Sequence, residues 1–135
     1  MTDKELEKIF KSKQIKVTVS KKGKIFISAG FSKAVTFEHF KAWFNQDEFD
    51  KGCYYCNTTN ERSFELYNLR PHATRGGKRG KRLELDRRDP VRDYDELDNI
   101  VWCCYWCNNA KSNFFSEVEF KPIAKAIGEV LNKIS

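Results

Sequence analysis

Two C-x-x-C pairs constrain the fold of this chain more than any other feature of its sequence. The first pair is Cys53 with Cys56, and the second is Cys104 with Cys107. This spacing turns both sulfurs of a pair toward one metal ion, and two pairs supply the four thiolates of a tetrahedral Zn²⁺ site. Because four protein ligands leave no open position, we expect this zinc to be structural.

Length and composition indicate a folded domain in a reducing compartment. The chain has 135 residues, and aromatic residues make up 14% of them, which argues against disorder. The chain starts with polar residues and contains no apolar run of the roughly 20 residues that span a bilayer. We therefore expect a cytoplasmic protein with no membrane partner, in which paired C-x-x-C units bind metal and do not form disulfides.

The fifth cysteine, Cys103, lies outside the two pairs. We expect it to be a buried free thiol. The alternative is that Cys103 replaces Cys104 as a zinc ligand, through a C-x-x-x-C spacing with Cys107.

Positive charge is concentrated between the two pairs. The net charge is +6, and residues 70–88 contain eight basic residues against two acids. Residues 75–82 are a basic run interrupted by glycines, which suits a loop that follows the phosphate backbone of a nucleic acid. The alternative is a solvated loop whose charge only keeps the protein soluble. The N-terminal lysines are expected to be mostly solvated. The predicted nucleic-acid contacts are Arg75, Lys78, Arg79, Lys81, Arg82, Arg88 and, beyond the loop, Lys111.

Periodicity and turn signals predict the N-terminal elements. Residues 3–12 are expected to form a helix, and residues 14–20 and 24–28 a β-hairpin with Gly23 in its turn. Thr36 is expected to cap a helix that runs to about residue 44.

The pattern of residues 81–115 predicts two strands followed by a helix. The strands are expected at residues 81–86 and 99–102, and the helix begins at Cys104. Residues 65–69 are expected to form a short strand or a helical turn. Farther on, Ser116 with Glu119 has the spacing of a capping box for the last helix.

This ββα order can gather oxygen ligands around a hard cation. Asp86 ends the first strand, and Asn108 lies on the helix. Mg²⁺ binds one or two protein oxygens together with water and substrate phosphate, so these two residues are a sufficient ligand set. A cation held there would polarise a phosphodiester.

The same residues resemble the HNH, or ββα-metal, nucleases. The resemblance rests on Asp86-Arg87, on Asn99, and on Cys104-Tyr-Trp-Cys-Asn108-Asn-Ala-Lys111, which follows the C-x-x-C-N-x-x-K pattern. It covers roughly residues 35–120, and within the family the chain is most similar to a restriction endonuclease.

The resemblance implies an α+β fold with a small ββα-metal core stapled by a four-cysteine zinc site, an N-terminal hairpin and flanking helices. It divides the chain into a 1–34 extension and a 35–135 nuclease domain. It implies hydrolysis of DNA with catalytic Mg²⁺, for which Mn²⁺ can substitute, held by Asp86 and Asn108. Asn99 would be structural, pinning the loop between the strands.

The general base departs from the family pattern. Most members carry histidine where this chain has Arg87, and arginine stays protonated at working pH. In the zinc-stapled arrangement a loop tyrosine activates water, and Tyr94 matches that position. Its phenol, with an ordinary pKa of about 10, would need nearby positive charge. Arg87 would also steady the transition state. His72 is the alternative base.

The resemblance leaves the biological setting open between restriction or defence and a mobile element. One site per chain cuts one strand, so double-strand cleavage favours a homodimer. The rival interpretation is a non-catalytic zinc-stapled module that binds DNA or RNA through residues 75–82.

Overall fold

A computed structural model describes residues 1–135 and has an α+β architecture, as the sequence predicts. The helices are α1 (Asp3–Ser12), α2 (Phe37–Trp43), α3 (Gln46–Asp50), α4 (Asn60–Leu69), α5 (Tyr105–Lys111) and α6 (Glu117–Lys133). The strands are β1 (Val17–Val19), β2 (Ile25–Ile27), β3 (Glu84–Arg87) and β4 (Ile100–Cys103). Short 3-10 helices cover Pro71–Ala73 and Leu97–Asn99.

The chain divides into two compact units. The first comprises residues 1–44 and 92–99, and the second comprises residues 45–91 and 100–135. The boundary proposed from sequence, between residues 34 and 35, stays a prediction. None of the helices is long and apolar enough to cross a membrane.

The first unit is built on aromatic packing between α1 and α2. Thr2 and Glu5 form a capping box that starts α1, and Thr36 caps α2 as predicted. The ring of Phe10 on α1 lies 5.4 Å from that of Phe31 and 5.5 Å from that of Phe40. Full burial of Phe40 places the apolar side of α2 against this cluster.

The predicted hairpin is present in the first unit. β1 and β2 pair antiparallel, with Val17 opposite Ile27 and Val19 opposite Ile25. Gly23 lies in the turn with a φ of 79°, a conformation that side chains disfavour. All six strand residues are exposed.

The second unit contains the ββα motif. β3 and β4 pair antiparallel with Glu84 opposite Cys103 and Asp86 opposite Val101, and α5 follows β4 directly. Leu83 is fully buried and anchors the start of β3 in the core. The predicted strands and helix are all present, since alternation and the cysteine pair define them locally. Strand β3 begins at Glu84 and not at residue 81, and β4 covers Ile100–Cys103 and not residues 99–102.

Two flanking helices complete the second unit. The predicted capping box of Ser116 and Glu119 begins α6. The segment predicted as a short strand or helical turn at residues 65–69 is the end of a longer helix, α4, which Thr59 caps through the backbone N–H of Arg62. The polar character of residues 60–63 hides this helix from hydrophobic periodicity.

Candidate functional site

The four predicted zinc ligands lie together. The sulfurs of Cys53, Cys56, Cys104 and Cys107 are all within 4.8 Å of one another. The Sγ atoms of Cys56 and Cys104 are 3.6 Å apart. A tetrahedral zinc with Zn–S bonds of about 2.3 Å requires sulfur–sulfur edges of about 3.8 Å. The donor set and its spacing therefore fit a structural zinc.

Each cysteine pair is shaped by a tight turn. In the first, the Cys53 N–H donates to the Thr58 carbonyl at 2.8 Å, and Gly52 adopts a φ of 88°. A Cβ at Gly52 would lie 2.6 Å from the Thr58 carbonyl oxygen, so the approach requires glycine. In the second, Cys104 is the N-cap of α5, and its sulfur accepts from the Cys107 N–H at 3.4 Å.

Cys103 is not among the four cysteines whose sulfurs lie within 4.8 Å of one another, which favours Cys104 over Cys103 as the zinc ligand. Its side chain is fully buried, and its thiol donates to the Cys104 carbonyl at 3.3 Å. Burial raises the pKa of Cys103 well above its usual range. Among the clustered thiols, hydrogen bonding with Cys104 raises the pKa of Cys107, and a bound cation would offset the accumulating negative charge.

A buried ion pair joins β3 to α5. The Lys111 Nζ lies 3.2 Å from Asp86 Oδ2, and the exposed fractions of these side chains are 0% and 8%. Lys111 also donates to the Arg87 carbonyl at 2.7 Å. The predicted contact of Lys111 with DNA stays untested, and its observed partner is Asp86. The pair holds the end of β3 against α5.

Tyr55 completes the surroundings of Asp86. Its hydroxyl donates to Asp86 Oδ2 at 2.7 Å. Burial raises the pKa of Asp86, while hydrogen bonds from Tyr55 and the charge of Lys111 act against that shift. Burial, and then the charge of Asp86, raises the pKa of Tyr55 well above its ordinary value. Tyr55 thus acts as a hydrogen-bond donor to the carboxylate and not as a base.

Asn108 contacts the neighbouring acid on the same strand. Its Nδ2 donates to Glu84 Oε1 at 2.9 Å, and Arg79 Nη2 approaches the same oxygen at 2.5 Å. Glu84 and Asp86 are two positions apart on β3, so their side chains project from the same face, which meets Asn108 and Lys111 of α5. Because the Asn108 nitrogen donates to Glu84, its amide oxygen is the atom suited to bind a cation.

Two residues of this cluster were missed by sequence reasoning. Glu84 could have been found from its place two positions before Asp86 on a strand. Tyr55 lies between the first two cysteines, and no local pattern links it to Asp86. Only the folding of the first cysteine pair onto β4, where the Tyr54 N–H donates to the Trp102 carbonyl at 2.8 Å, brings it there.

The arginines that follow Asp86 are half-buried and engaged with neighbours. Arg87 Nη2 donates to Asn113 Oδ1 at 3.0 Å. Arg88 Nε lies 3.0 Å from Glu117 Oε2, and both side chains are partly exposed. A partly exposed guanidinium can exchange such a partner for a phosphate.

The basic loop is a structured turn. The Tyr67 hydroxyl donates to the Gly77 carbonyl at 2.8 Å, and a Cβ at Gly77 would lie 3.1 Å from the Pro71 carbonyl oxygen. Arg82 Nη1 donates to the Leu83 carbonyl at 2.8 Å, and burial lowers the pKa of Arg82. The exposed predicted contacts in the loop are Arg75, Lys78 and Lys81.

Tyr94 and Asn99 belong to the first unit. The ring of Tyr94 is 7% exposed, lies 6.0 Å edge-on from that of Phe31, and has Lys13 Nζ 4.3 Å from its centroid. Asn99 is buried, and its N–H donates to the Glu96 carbonyl at 2.9 Å. His72, the alternative base, is exposed in a 3-10 helix of the second unit.

Comparison with known proteins identifies a structural relative. No family model and no curated protein sequence matches the chain. The fold is similar to the solved structure of the rare-cutting HNH restriction endonuclease PacI, which is described as perturbing DNA by an extraordinary mechanism. The TM-score is 0.56 with 29% sequence identity over 71% of this chain. The chain shares the fold of an HNH endonuclease. The match spans 63% of the PacI chain.

The HNH likeness agrees with the features described for the second unit. A four-cysteine cluster flanks a ββα motif. Within the motif, helix α5 contacts two acids of β3, through Asn108 with Glu84 and through Lys111 with Asp86. The resemblance inferred from Asp86 and Asn108 with the C-x-x-C-N-x-x-K pattern is confirmed at the level of fold.

Proposed function

We propose that this chain is a Mg²⁺-dependent HNH endonuclease that hydrolyses phosphodiester bonds in DNA. The observation that carries the proposal is a ββα motif with Asp86 on β3 and Asn108 on α5, in a chain whose fold is similar to that of a restriction endonuclease. Such a likeness supports nuclease activity in general. We propose in addition that the metal is Mg²⁺, that the substrate is DNA and that the cleaved bond is a phosphodiester.

Asp86 and Asn108 would hold the Mg²⁺, with Mn²⁺ as a substitute. A bound cation there would neutralise charge on the scissile phosphate and on the leaving oxygen. Lys111 and Tyr55 act as positioning residues, because they fix the Asp86 carboxylate through contacts of 3.2 Å and 2.7 Å. Arg87 would place its guanidinium near the developing charge.

Tyr94 remains the proposed group that activates water, and His72 is its alternative. The raised pKa of Tyr55 argues against Tyr55 itself as the base. Loss of cleavage in Tyr94→Phe with activity retained in His72→Ala would support Tyr94. The reverse pattern would assign the role to His72.

DNA contact is proposed for the basic loop of residues 75–82 and for Arg88. Arg75, Lys78 and Lys81 are exposed there and suit phosphate binding, and Arg88 is half-buried. Since one site cuts one strand, we propose a homodimer for double-strand cleavage. A restriction or defence role, or a mobile-element nuclease, fits this activity.

Conversion of supercoiled plasmid to nicked or linear product tests the proposal. Zinc-loaded protein should act only when Mg²⁺ or Mn²⁺ is added, and omission of the metal avoids chelators that would also remove zinc. Asn108→Ala keeps the buried ion pair and should lose activity at least tenfold while keeping zinc and helical content. Asp86→Asn leaves Lys111 buried without its counter-ion, so only protein shown to be folded and zinc-loaded is assayed, and it should also lose activity at least tenfold.

Matched controls separate site chemistry from surface charge. Asp47→Asn and Asn68→Ala change the same residue types at exposed positions of the second unit and should cut at the parent rate. Salt-sensitive DNA binding by the parent without any metal-dependent product would favour the non-catalytic binding module instead.

A further inference from the structure

The hairpin of residues 15–28 carries an uncovered aliphatic face. Cross-strand neighbours project on the same side of a ribbon, so the pairs Val17 with Ile27 and Val19 with Ile25 share one face. These four residues are 63–69% exposed, and Ile15, which extends the same face, is 42% exposed. Exposed apolar patches of a few hundred Å² are often functional surfaces, so the hairpin is a candidate for binding.

The same segment is strongly basic. No aspartate or glutamate occurs between Glu7 and Glu38. The lysines in that interval are Lys8, Lys11, Lys13, Lys16, Lys21, Lys22, Lys24 and Lys33. Four of them belong to the hairpin: Lys21 and Lys22 lie at its tip, and Lys16 and Lys24 project from the face opposite the aliphatic one. Such a segment attracts a polyanion and repels another copy of itself.

The exposed area also argues against self-association through this face. Five partly exposed aliphatic side chains offer on the order of a few hundred Å² per chain, against about 800 Å² per partner in a standard stable interface. Two facing hairpins would in addition bring two sets of lysines together. Charge and area therefore both favour a nucleic acid over a second copy.

The dimensions of the hairpin suit the major groove of duplex DNA. Paired strands lie about 4.8 Å apart, and a groove about 12 Å wide admits a two-stranded ribbon. With the aliphatic face toward the base edges, its methyl groups meet sugars and thymine methyls. The long side chains of Lys16, Lys21, Lys22 and Lys24 can then reach phosphates on either side of the groove.

We propose that residues 15–28 form a DNA-binding arm that lies in the major groove with its aliphatic face toward the base edges. The choice of DNA as the partner rests on the proposed nuclease function. The arm is a separate binding surface from the basic loop of residues 75–82, and it adds affinity without taking part in chemistry.

Fluorescence anisotropy of a labelled duplex, measured over a salt series, tests the arm. The full chain is used without divalent metal, and a gel confirms that the recovered duplex is intact. In the arm variant the four hairpin lysines become Gln (Lys16→Gln, Lys21→Gln, Lys22→Gln, Lys24→Gln). Its plot of log affinity against log salt should become shallower by about 0.9 for each phosphate that the variant no longer neutralises, hence by up to about 3.6.

The control carries the same charge change outside the arm. Lys4→Gln, Lys8→Gln, Lys51→Gln and Lys133→Gln together should change the slope by less than about 1. An arm variant whose slope matches this control overturns the proposal.

A second variant tests the aliphatic face. Val19→Thr, Ile25→Thr and Ile27→Thr keep β-branched side chains, so the hairpin should persist. Affinity should fall several-fold with an unchanged salt slope, because only apolar contacts are removed. Unchanged DNA affinity together with a shift from dimer to monomer in sedimentation would overturn the proposal and assign the face to a second copy.

Cleavage assays distinguish failure of the DNA-binding arm from failure of the proposed nuclease function. A parent chain that binds DNA through the arm but never cuts it would overturn the nuclease and leave the arm in place. A chain that cuts plasmid while the arm variants behave as the control does would overturn the arm alone.

Discussion

Removing the Lys111 ammonium should destabilise the protein in a pH-dependent way. Lys111 is fully buried, pairs with Asp86 at 3.2 Å and donates to the Arg87 carbonyl at 2.7 Å. Lys111→Met keeps most of the side-chain volume but leaves the buried Asp86 carboxylate without a cationic partner, with hydrogen bonds only from the Tyr55 hydroxyl and the Arg87 backbone. Breaking a buried pair from one side costs about 3–5 kcal/mol.

Protonation of Asp86 limits that loss and sets its pH dependence. An aspartate with an ordinary pKa of about 3.9 can be protonated at pH 7 for about 4 kcal/mol and at pH 5 for about 1.5 kcal/mol. In the variant the folded-state pKa of Asp86 is raised further, so the destabilisation is absent below the unfolded pKa and grows as the pH rises. We expect a loss near 4 kcal/mol at pH 7 that shrinks by more than half at pH 5.

Urea unfolding of the zinc-loaded protein without Mg²⁺ measures this loss. Lys125→Met, an exposed lysine of α6, is the matched control and should change the free energy of unfolding by less than about 0.5 kcal/mol. The double variant Asp86→Asn with Lys111→Met should recover much of the stability. A Lys111→Met loss below about 1 kcal/mol, or one that does not vary with pH, would refute the buried-pair account.

Two further predictions concern the zinc cluster and the site tyrosine. The chain should bind one zinc ion, and Cys107→Ser should lose both the metal and cooperative unfolding, since structural zinc contributes about 10–16 kcal/mol. Cys103→Ser should keep the zinc, and loss of zinc from that variant, measured by elemental analysis, would contradict the ligand assignment. Tyr55→Phe removes the hydrogen bond to the Asp86 carboxylate and should lower the free energy of unfolding by about 1.5–3 kcal/mol, while metal-dependent cleavage persists. Loss of cleavage at unchanged stability would instead give Tyr55 a catalytic role.

Local patterns made much of the fold predictable from sequence. The capping box at Ser116 and the N-cap at Thr36 define helix starts with residues that are close in sequence. The hairpin turn at Gly23 and the cysteine spacing are likewise local signals. The helix α4 was shortened in the prediction because its first turn is polar, and only tertiary burial of Leu66 identifies its inner face.

The candidate site was less predictable because its contacts are long-range. Asp86 and Asn108 could be found from a motif, but the pairing of Asp86 with Lys111 and Tyr55 depends on how α5 and the first cysteine pair pack on the sheet. Lys111 was predicted to contact nucleic acid, and that prediction stays untested. Its full burial and its pairing with Asp86 could not be inferred from the sequence.

The central claim is that this chain breaks phosphodiester bonds in DNA at a site that includes Asp86. Mapping of newly formed ends on a long duplex, incubated with zinc-loaded protein and Mg²⁺, tests it most directly. The account predicts new ends with the parent chain that are absent with folded, zinc-loaded Asp86→Asn and absent without the divalent metal. An intact duplex at every Mg²⁺ and Mn²⁺ concentration, or the same ends with Asp86→Asn, would contradict it.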